Sequence, residues 1–342
     1  MSPDPLGHGT ISAIVPVFDG AAVLPRSLAP LIRFLRDGAI AELIVVDDGS
    51  TDASAAIATC LGAQVIASGG RLGPGGARNR GAAIARGANL WFVDADVVVH
   101  DDAAAVLACA LADDGVTAVF GTYDSAPAAP GFLSQYRNLL HRHHHMNADP
   151  EAKTFWAGCG AVRAAAFAGV GGFDAARYPR PSIEDVELGL RLRDRGGTIR
   201  IEPRLQAKHL KEWRFASLVR TDVVDRAVPW TRLILERRIP AVLNTRPAER
   251  WRAGLAWLFA LSLPAALAGV VPWIAPPALG SLALVANAGL VARFARAHGP
   301  GFALGAGLFH QVHYLYASAG FMAGALAFAV DGARASTTSR RA

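Results

Sequence analysis

Residues 43–52 read LIVVDDGSTD, a short β-branched apolar run that ends in acidic and turn-forming residues. A run that is apolar at every position is typical of a strand buried on both faces of a parallel sheet. Residues 11–18, ISAIVPVF, repeat the pattern before Asp19, and the segment between the two runs carries leucines at helical spacing. The opening of the chain therefore predicts a βαβα unit and the α/β fold class.

The next 160 residues continue to alternate between the two patterns. A Gly-rich loop at 69–76 leads into an Ala-rich segment, and acids and glycines gather where strands end, which is where open α/β sheets bind ligands. The predicted elements are strand 65–66, helix 75–87, strand 90–93, helix 101–112, strand 116–121, a helix from 131 to about 144, a flexible loop to 154, a helix from 183 to about 195, and short strands 198–201 and 205–207.

A histidine cluster lies near the end of the 131–144 helix. It comprises His141, His143, His144 and His145. Adjacent histidines point in different directions along any regular element, so a shared metal site is disfavoured. The cluster is interpreted as part of a solvated flexible loop.

Composition limits the class of protein. With 342 residues, 52% hydrophobic and 18% charged, the chain is too apolar to be disordered, and three cysteines are too few for a disulfide framework. The net charge of +6 is unevenly distributed, because residues 231–342 carry +8 and the first 230 carry −2. A basic excess confined to the most apolar third indicates arginines that flank membrane segments, and nucleic acid is not an expected partner.

The C-terminal third is apolar enough to cross a membrane. Two stretches, 253–292 and 297–330, contain no Asp, Glu, Lys or Arg, and each exceeds the length of a bilayer span. Prolines divide the first stretch. The predicted organisation is a catalytic domain at 1–210, amphipathic interfacial helices at 211–250, spans at 252–273, 276–294 and 302–329, and a disordered tail at 332–342.

The predicted topology is multi-pass in the inner or plasma membrane, with the catalytic domain cytoplasmic. The N-terminus lacks a basic region before an apolar run, so no signal peptide is predicted there. Arg250, Arg252, Arg293 and Arg296 obey the positive-inside rule. Three spans place the arginines of the tail outside, however, so a re-entrant last segment is the alternative.

Asp94-Ala95-Asp96 places two carboxylates at a strand end. Alternate residues share a direction there, so both carboxylates can reach one hard cation. Such a cation neutralises the charge that develops on a departing diphosphate. The alternative is that these are ordinary loop or capping acids.

The ordered motifs resemble the GT-A fold (Rossmann-like, with a mostly parallel sheet) of the family 2 glycosyltransferases, followed here by C-terminal transmembrane helices. The resemblance covers residues 10–210, and KHLKEW with the apolar tail is similar to membrane-bound members. The motifs are VPVF (15–18), VVDDGSTD (45–52), GARNRG (76–81), DAD (94–96), GCGAVR (158–163), GGFD (171–174) and ED (184–185).

The resemblance implies a nucleotide site at the strand ends. The residues it assigns there are Pro16, Val17, Phe18, Asp47, Asp48, Arg78, Asp94 and Ala95. Asp48, slightly preferred over Asp47, would contact the base or ribose, since a carboxylate can accept from a pyrimidine N3–H or a hydroxyl. Arg78 would keep its charge free for the nucleotide. The alternative for the surrounding glycines is a tight turn alone.

The resemblance also implies a metal and a base. Asp96, with Asp94 and His209, would hold Mn²⁺ or Mg²⁺, although a lone histidine is usually structural. Asp185 is the candidate general base, and Glu184 would raise its pKa or orient the acceptor. The alternative is that both are acids of a helix's first turn that interact favourably with its dipole.

Acceptor contacts are assigned to one short segment and two tryptophans. They are Gly158, Cys159, Gly160, Trp156 and Trp213. The tryptophans could equally lie at a lipid interface. Processive synthases carry Gln-x-x-Arg-Trp, whereas this chain has Lys211-Glu212-Trp213-Arg214, which favours transfer of a single sugar.

The predicted function is an inverting, metal-dependent transfer of one sugar from a nucleotide sugar, expected to be UDP-linked. The acceptor is expected to be a hydroxyl of a lipid or lipid-linked molecule at the cytoplasmic membrane face. The alternatives are a polyprenyl-phosphate acceptor and a non-catalytic nucleotide-binding membrane scaffold.

Overall fold

The computed structural model describes residues 9–239 and 247–339, and it divides the chain into two units. The first unit extends to Glu212 and the second begins at Trp213.

The first unit is built on one mixed sheet. Its strands are β1 (Ile11–Val17), β2 (Glu42–Asp47), β3 (Gln64–Ala67), β4 (Asn89–Val93), β5 (Val97–Val99), β6 (Ala118–Tyr123), β7 (Glu151–Ala152), β8 (Cys159–Arg163) and β9 (Ile199–His209). Among the described residues the order is β3-β2-β1-β4-β8-β6-β9-β5, and β7 pairs with β9. The pairings among β1–β4 are parallel, whereas β8 is antiparallel to both of its neighbours.

The apolar strands are explained by burial on both faces. Successive side chains of a strand point to opposite faces of the sheet. In β2, Leu43 and Val45 pack into one hydrophobic cluster, while Ile44 and Val46 pack into another. A strand between two helical layers has no face left for polar residues, which is why residues 43–46 are apolar throughout.

The helices of the first unit flank this sheet. They are α1 (Leu24–Arg36), α2 (Ser54–Cys60), α3 (Gly73–Ile84), α4 (Ala103–Leu111), α5 (Phe132–Met146), α6 (Ala164–Gly169) and α7 (Glu184–Asp194). The clusters on the two faces include Leu28 of α1 and Leu107 of α4 on one side, and Ala77 of α3 and Leu188 of α7 on the other. The predicted alternation of strands and helices is confirmed.

Two local predictions for the first unit are wrong. The short strands predicted at 198–201 and 205–207 are one strand, β9, so His209 is its last residue rather than a residue beyond it. The histidine cluster lies on α5, not in a flexible loop. His141 and His145 are half-buried against aromatic rings of the sheet, because the helix turns one of its faces inward.

The second unit is helical in its described residues. It comprises α8 (Phe215–Arg220), a π-helical turn (Thr221–Ala227), α9 (Val228–Arg237), α10 (Pro247–Leu267), α11 (Ala275–Ala286) and α12 (Ala288–Ser339). Residues 240–246, which belong to the predicted interfacial region, lie outside the described residues. The predicted span 276–294 is divided at Asn287, where α11 ends.

The last helix, α12, is the longest. Its portion Ala288–Asp331 is long and apolar enough to cross a membrane, and it is the one such helix among the described residues. Gly299 has φ +81°, and Pro300 follows it, so the helix is kinked there. The helix continues to Ser339, beyond the predicted start of a disordered tail at 332; Arg340 and Arg341 lie outside the described residues.

Hydrogen bonds between side chains join the helices of the second unit. The Tyr314 hydroxyl donates to Glu249 (2.7 Å) and lies 3.0 Å from the Asn287 Oδ1. The Tyr316 hydroxyl donates to Asp222 of the π-helical turn at 3.0 Å. Large apolar side chains are exposed elsewhere, among them Leu267, Val270 and Trp273. These polar side chains are thus paired with one another while large apolar side chains face outward, an arrangement suited to an apolar solvent.

We expect Gly121→Ala to destabilise the first unit. The β6–β9 pairing shifts register between Phe120 and Thr122, and a Cβ at Gly121 would overlap the backbone carbonyl of Leu205. Forcing an extra carbon against rigid backbone costs about 1–3 kcal/mol. Thermal unfolding of the full chain in mild detergent measures the change. Gly169→Ala, where a Cβ meets open space at the end of α6, is the matched control; an equal loss in both variants would contradict the prediction.

Candidate active site

The predicted site residues converge on one edge of the sheet. Strands β1, β2 and β4 run parallel, so their carboxyl ends, at Val17, Asp47 and Val93, lie at the same edge. Asp94–Asp96 follow β4 directly and precede β5. The first turn of α7, which carries Glu184 and Asp185, reaches this edge through α3, as the contacts of Arg78 show.

Asp48 closes the Gly-rich loop onto the end of β2. Its two carboxylate oxygens accept hydrogen bonds from the backbone N–H groups of Leu72 and Gly73, both at 2.8 Å. The side chain is buried. Both oxygens are therefore engaged by the protein, which differs from the expected contact with base or ribose. Asp47, which is half-buried, accepts from the Ser50 N–H at 3.0 Å.

Arg71 is a further candidate ligand-binding residue, which the sequence did not predict. Its guanidinium lies over the ring of Phe18, 3.4 Å from the ring centroid. Phe18 follows β1, and Arg71 is exposed on the loop that Asp48 holds. This stack places a cation beside the predicted base-binding residues. The available signal was a basic residue inside the Gly-rich segment GGRLGPGG.

Arg78 lies at the centre of a buried ion-pair network. One terminal nitrogen donates to Asp94 Oδ1 at 2.6 Å and the other to Glu184 Oε1 at 3.0 Å. The Arg78 and Glu184 side chains are only 5% and 6% exposed. The expectation that the charge of Arg78 is free for the nucleotide is wrong, because both terminal nitrogens are bound by carboxylates of the protein itself.

Asp185 is a carboxylate with a raised pKa at this edge. Burial raises its pKa to about 6, and the neighbouring charge of Glu184 acts in the same direction, while Arg78 opposes both. Its Oδ2 accepts from the Ala157 N–H at 3.1 Å. A carboxylate with a pKa near neutrality is suited to accept a proton and is a recognised mark of functional sites.

Asp96 and His209 face each other across the β5–β9 pair. In that pair Val97 lies opposite His209, and His209 Nε2 is 3.4 Å from Asp96 Oδ2. Burial tends to raise the pKa of Asp96, but the hydrogen bond and charge of His209 and the charge of Lys211 outweigh it, so the pKa is lowered. The result is an ionised carboxylate beside an imidazole.

The side chains of Asp96 and His209 are suited to form part of a site for a divalent cation. Carboxylate oxygen and imidazole nitrogen are ligands that Mn²⁺ accepts, and Asp96 with His209 would supply one of each. Asp94 is instead paired with Arg78. No group of three His, Cys, Asp or Glu side chains able to hold a metal occurs within residues 9–239 and 247–339. The described residues thus offer two ligands for such a cation, Asp96 and His209.

The predicted acceptor residues have several different environments. Gly158 lies against the indole of Trp156, since a Cβ there would be 2.6 Å from the ring, and its carbonyl accepts from the Asp94 N–H at 3.1 Å. Cys159 is buried in β8 opposite Val93, and burial raises the pKa of its thiol to about 12, so it is not a nucleophile. Trp213 belongs to the second unit.

Residues at this edge of the sheet match the profile of a known protein family. The profile described as glycosyl transferase family 2 matches residues 12–171, which include β1, the Gly-rich loop and the DAD motif. Residues 12–171 thus resemble a glycosyltransferase family 2 domain. The resemblance inferred from the ordered motifs is confirmed.

Individual relatives are distant. The succinoglycan biosynthesis protein ExoO of Rhizobium meliloti (strain 1021) is 32% identical over 95 residues, which is 27% of this chain and 27% of that protein. The chain thus matches about a quarter of the length of this curated relative.

Two solved structures complete the comparison. The mannosyltransferase PcManGT from Pyrobaculum calidifontis, in complex with GDP-Man and Mn²⁺, is 19% identical, with a TM-score of 0.53 over 96% of this chain and 89% of its own. The glucosyl-3-phosphoglycerate synthase from Mycobacterium tuberculosis, in complex with Mn²⁺ and UDP-glucose, is 22% identical, with a TM-score of 0.47 over 68% and 80%. The similarity to the mannosyltransferase confirms the predicted GT-A fold.

We expect Arg78→Met to destabilise the first unit in a pH-dependent way. Removing the cation leaves the buried Glu184, and Asp185 beside it, without a counter-charge, a loss of about 3–5 kcal/mol near neutral pH. The pKa of Asp185 rises further in the folded variant, because Arg78 no longer lowers it. The loss of stability is therefore absent below the pKa of an unfolded carboxyl, grows as pH rises to the folded value and is constant above it. The free energy of unfolding of the full chain, measured at pH 4.5 and pH 7.5, gives the loss of stability.

Arg193→Met is the matched control for this prediction. Arg193 pairs with Glu151 at the surface, where loss of an ion pair costs about 0–1 kcal/mol. Equal effects of the two substitutions, or an Arg78→Met deficit independent of pH, would contradict the buried-network account.

Proposed function

We propose that the chain is an inverting, metal-dependent glycosyltransferase that moves one sugar from a nucleotide sugar to a hydroxyl group. The observation that carries the proposal is the position of Asp185. It combines a pKa of about 6 with a place in α7 directly after Glu184, which Arg78 links to Asp94 at the end of β4. This is a proton acceptor beside a predicted diphosphate site, in a chain that resembles family 2 glycosyltransferases.

The diphosphate of the donor would bind at the end of β4. A divalent cation, Mn²⁺ or Mg²⁺, would be held by Asp96 and His209, and when bound it supplies charge neutralisation for the departing diphosphate. The lowered pKa of Asp96 keeps its carboxylate ionised for this task. Lys211, whose charge acts on Asp96, adds positive potential at the same place.

Asp185 would remove the proton of the acceptor hydroxyl. The oxygen then bonds to the anomeric carbon as the bond from that carbon to the diphosphate oxygen breaks, and the proton passes to the Asp185 carboxylate. A single displacement with no protein nucleophile inverts the configuration at that carbon. The backbone N–H of Ala157, 3.1 Å from Asp185 Oδ2, holds the carboxylate in one orientation.

The nucleoside would occupy the ends of β1 and β2. Phe18 and Arg71 offer stacking surfaces, and Asp47, which makes one hydrogen bond to Ser50, is the better placed of the two adjacent acids to accept from a base or ribose. Asp48 has the separate task of holding the loop that carries Arg71. A pyrimidine N3–H suits a carboxylate acceptor, so UDP is the proposed leaving group.

The acceptor would be a lipid or lipid-linked hydroxyl at the cytoplasmic face of a membrane. The apolar helix Ala288–Asp331 and the exposed apolar side chains of α10 and α11 support membrane attachment of the second unit, for which we propose several spans. A hydroxyl needs a general base, whereas a phosphate oxygen does not. The raised pKa of Asp185 therefore favours the hydroxyl over a polyprenyl phosphate.

Thermal shift in mild detergent tests the donor site. We expect UDP with Mn²⁺ to raise the unfolding temperature, because a ligand of the folded state stabilises it by mass action. The same panel includes GDP, CMP and dTDP, each with and without Mn²⁺. Asp96→Ala should abolish the metal-dependent part of the shift.

Asp114→Ala is the control for that panel, since Asp114 is a fully exposed acid on the loop between α4 and β6. It should keep the full shift. If no nucleotide shifts the unfolding temperature of the folded protein, the proposed nucleotide site is wrong. If a nucleotide with another base gives the shift, that nucleotide replaces UDP as the proposed leaving group.

The pH profile tests the base. We expect kcat/KM to fall below a pKa of about 6, about tenfold per pH unit, because only ionised Asp185 accepts a proton. Asp185→Asn should lower kcat by about 10²–10⁴-fold, and Asp194→Asn, an exposed acid at the end of the same helix, should not. Near-normal turnover by Asp185→Asn would instead favour a phosphate acceptor. Retention of configuration in the product would contradict the single displacement.

A further inference from the structure

The candidate metal ligand His209 is stacked on an aromatic ring. The ring of Tyr123 lies parallel to the imidazole, with 4.5 Å between ring centroids and an interplanar angle of 16°. Both side chains are buried. Offset stacking at this distance is a favourable arrangement for two aromatic rings.

Sheet pairing places the two rings together. Tyr123 is the last residue of β6 and lies opposite Ala207 of β9, two residues before His209. Alternate residues of a strand point the same way, so the side chain of His209 emerges on the same face as that of Ala207. The stack is therefore produced by the β6–β9 pairing and does not depend on a loop.

Tyr123 also contacts two further rings. Its ring lies 4.6 Å from that of His141 on α5 and 4.9 Å from the indole of Trp156, in an edge-to-face arrangement. His141 in turn lies 4.1 Å from His145 and 4.9 Å from Trp156. The inward face of α5 thus fixes a tyrosine, and the tyrosine lies flat against the imidazole.

An imidazole ring is free to turn about its Cβ–Cγ bond unless its surroundings prevent it, because that torsion has broad minima. In this structure Nε2 of His209 is directed towards Asp96 Oδ2 at 3.4 Å. Metal-binding histidines usually have their ring orientation fixed by a hydrogen bond from the second ring nitrogen. A stacked ring achieves the same restriction by contact, since turning the imidazole would drive its edge into the tyrosine face.

We propose that Tyr123 is a positioning residue that holds the imidazole of His209 towards Asp96 and thereby sets the affinity of the site for a divalent cation. The inference rests on the proposed function, in which Asp96 and His209 hold that cation. It assigns a role to α5 as well, because His141 and Trp156 keep the tyrosine ring in place. The aromatic ring carries the effect, so Tyr123→Phe retains it and Tyr123→Leu loses it.

The test is a titration with Mn²⁺ followed by electron paramagnetic resonance, in which bound Mn²⁺ is measured as the loss of the free-ion signal. The full chain in detergent is titrated in the presence of UDP and, in parallel, of GDP. Loss of a group that orients a metal-binding histidine typically costs about 10–100-fold in metal affinity. We expect Tyr123→Leu to weaken Mn²⁺ binding at least about tenfold, and Tyr123→Phe to stay within about twofold of the unmodified protein.

A spectroscopic signature separates positioning from a general loss of structure. Electron spin-echo modulation detects an imidazole nitrogen bound to Mn²⁺. The modulation should be present in the unmodified protein and in Tyr123→Phe, absent in His209→Ala, and diminished in Tyr123→Leu at saturating Mn²⁺. Tyr136→Leu, which removes a fully buried tyrosine of α5, is the matched control and should leave both readouts unchanged.

Folding is checked by nucleotide binding in EDTA, which does not depend on the metal. If Tyr123→Leu loses that binding, Tyr123→Met, with an unbranched side chain that adapts to its neighbours, takes its place. Unchanged Mn²⁺ affinity and modulation in a folded Tyr123→Leu or Tyr123→Met would overturn the positioning role alone. Failure of the unmodified protein to bind Mn²⁺ with either nucleotide would overturn the proposed metal site and this inference with it.

Discussion

A buried guanidinium is the constraint on which the candidate active site depends. Arg78 is removed from water, and an unpaired charge in that position would be costly. It is compensated by Asp94, sixteen residues away, and by Glu184, 106 residues away. Helix α3, the end of β4 and the start of α7 are therefore joined by one cation. Asp185 owes its environment to the same network, because Glu184 and Arg78 act on its pKa in opposite directions.

Acidic side chains also organise the loops at the ends of β1 and β2. Both carboxylate oxygens of Asp48 accept hydrogen bonds from backbone N–H groups of the Gly-rich loop. These N–H groups lie at the start of α3, where a helix has no carbonyl partners of its own for them. Asp19 accepts from the Thr51 N–H at 2.7 Å and Asp52 from the Ala21 N–H at 3.0 Å. Several acids in motifs expected to bind a ligand thus hold loops of the protein in place through hydrogen bonds from backbone N–H groups.

For the histidines of α5, the local sequence pattern predicts the wrong environment. Four histidines within five residues indicate a polar, solvated segment when only their neighbours in sequence are considered. In the folded chain they are divided by the helical period, and His141 and His145 join the aromatic cluster around Tyr123 and Trp156. The aromatic rings that pack against these two histidines come from β6 and from the segment before β8. The sequence around the histidines does not predict these contacts.

The amino-acid sequence by itself determined the α/β architecture, the strands and the acids that follow them, since these depend on hydrophobic period and turn chemistry within short windows. It also determined the apolar character of the C-terminal third. Only the tertiary structure decided that Arg78 is neutralised within the protein, that Asp48 holds a loop, and that His209 lies between Asp96 and Tyr123. Those contacts join residues 16 to 113 positions apart, and their pairing is set by sheet register and helix packing, which no local pattern encodes.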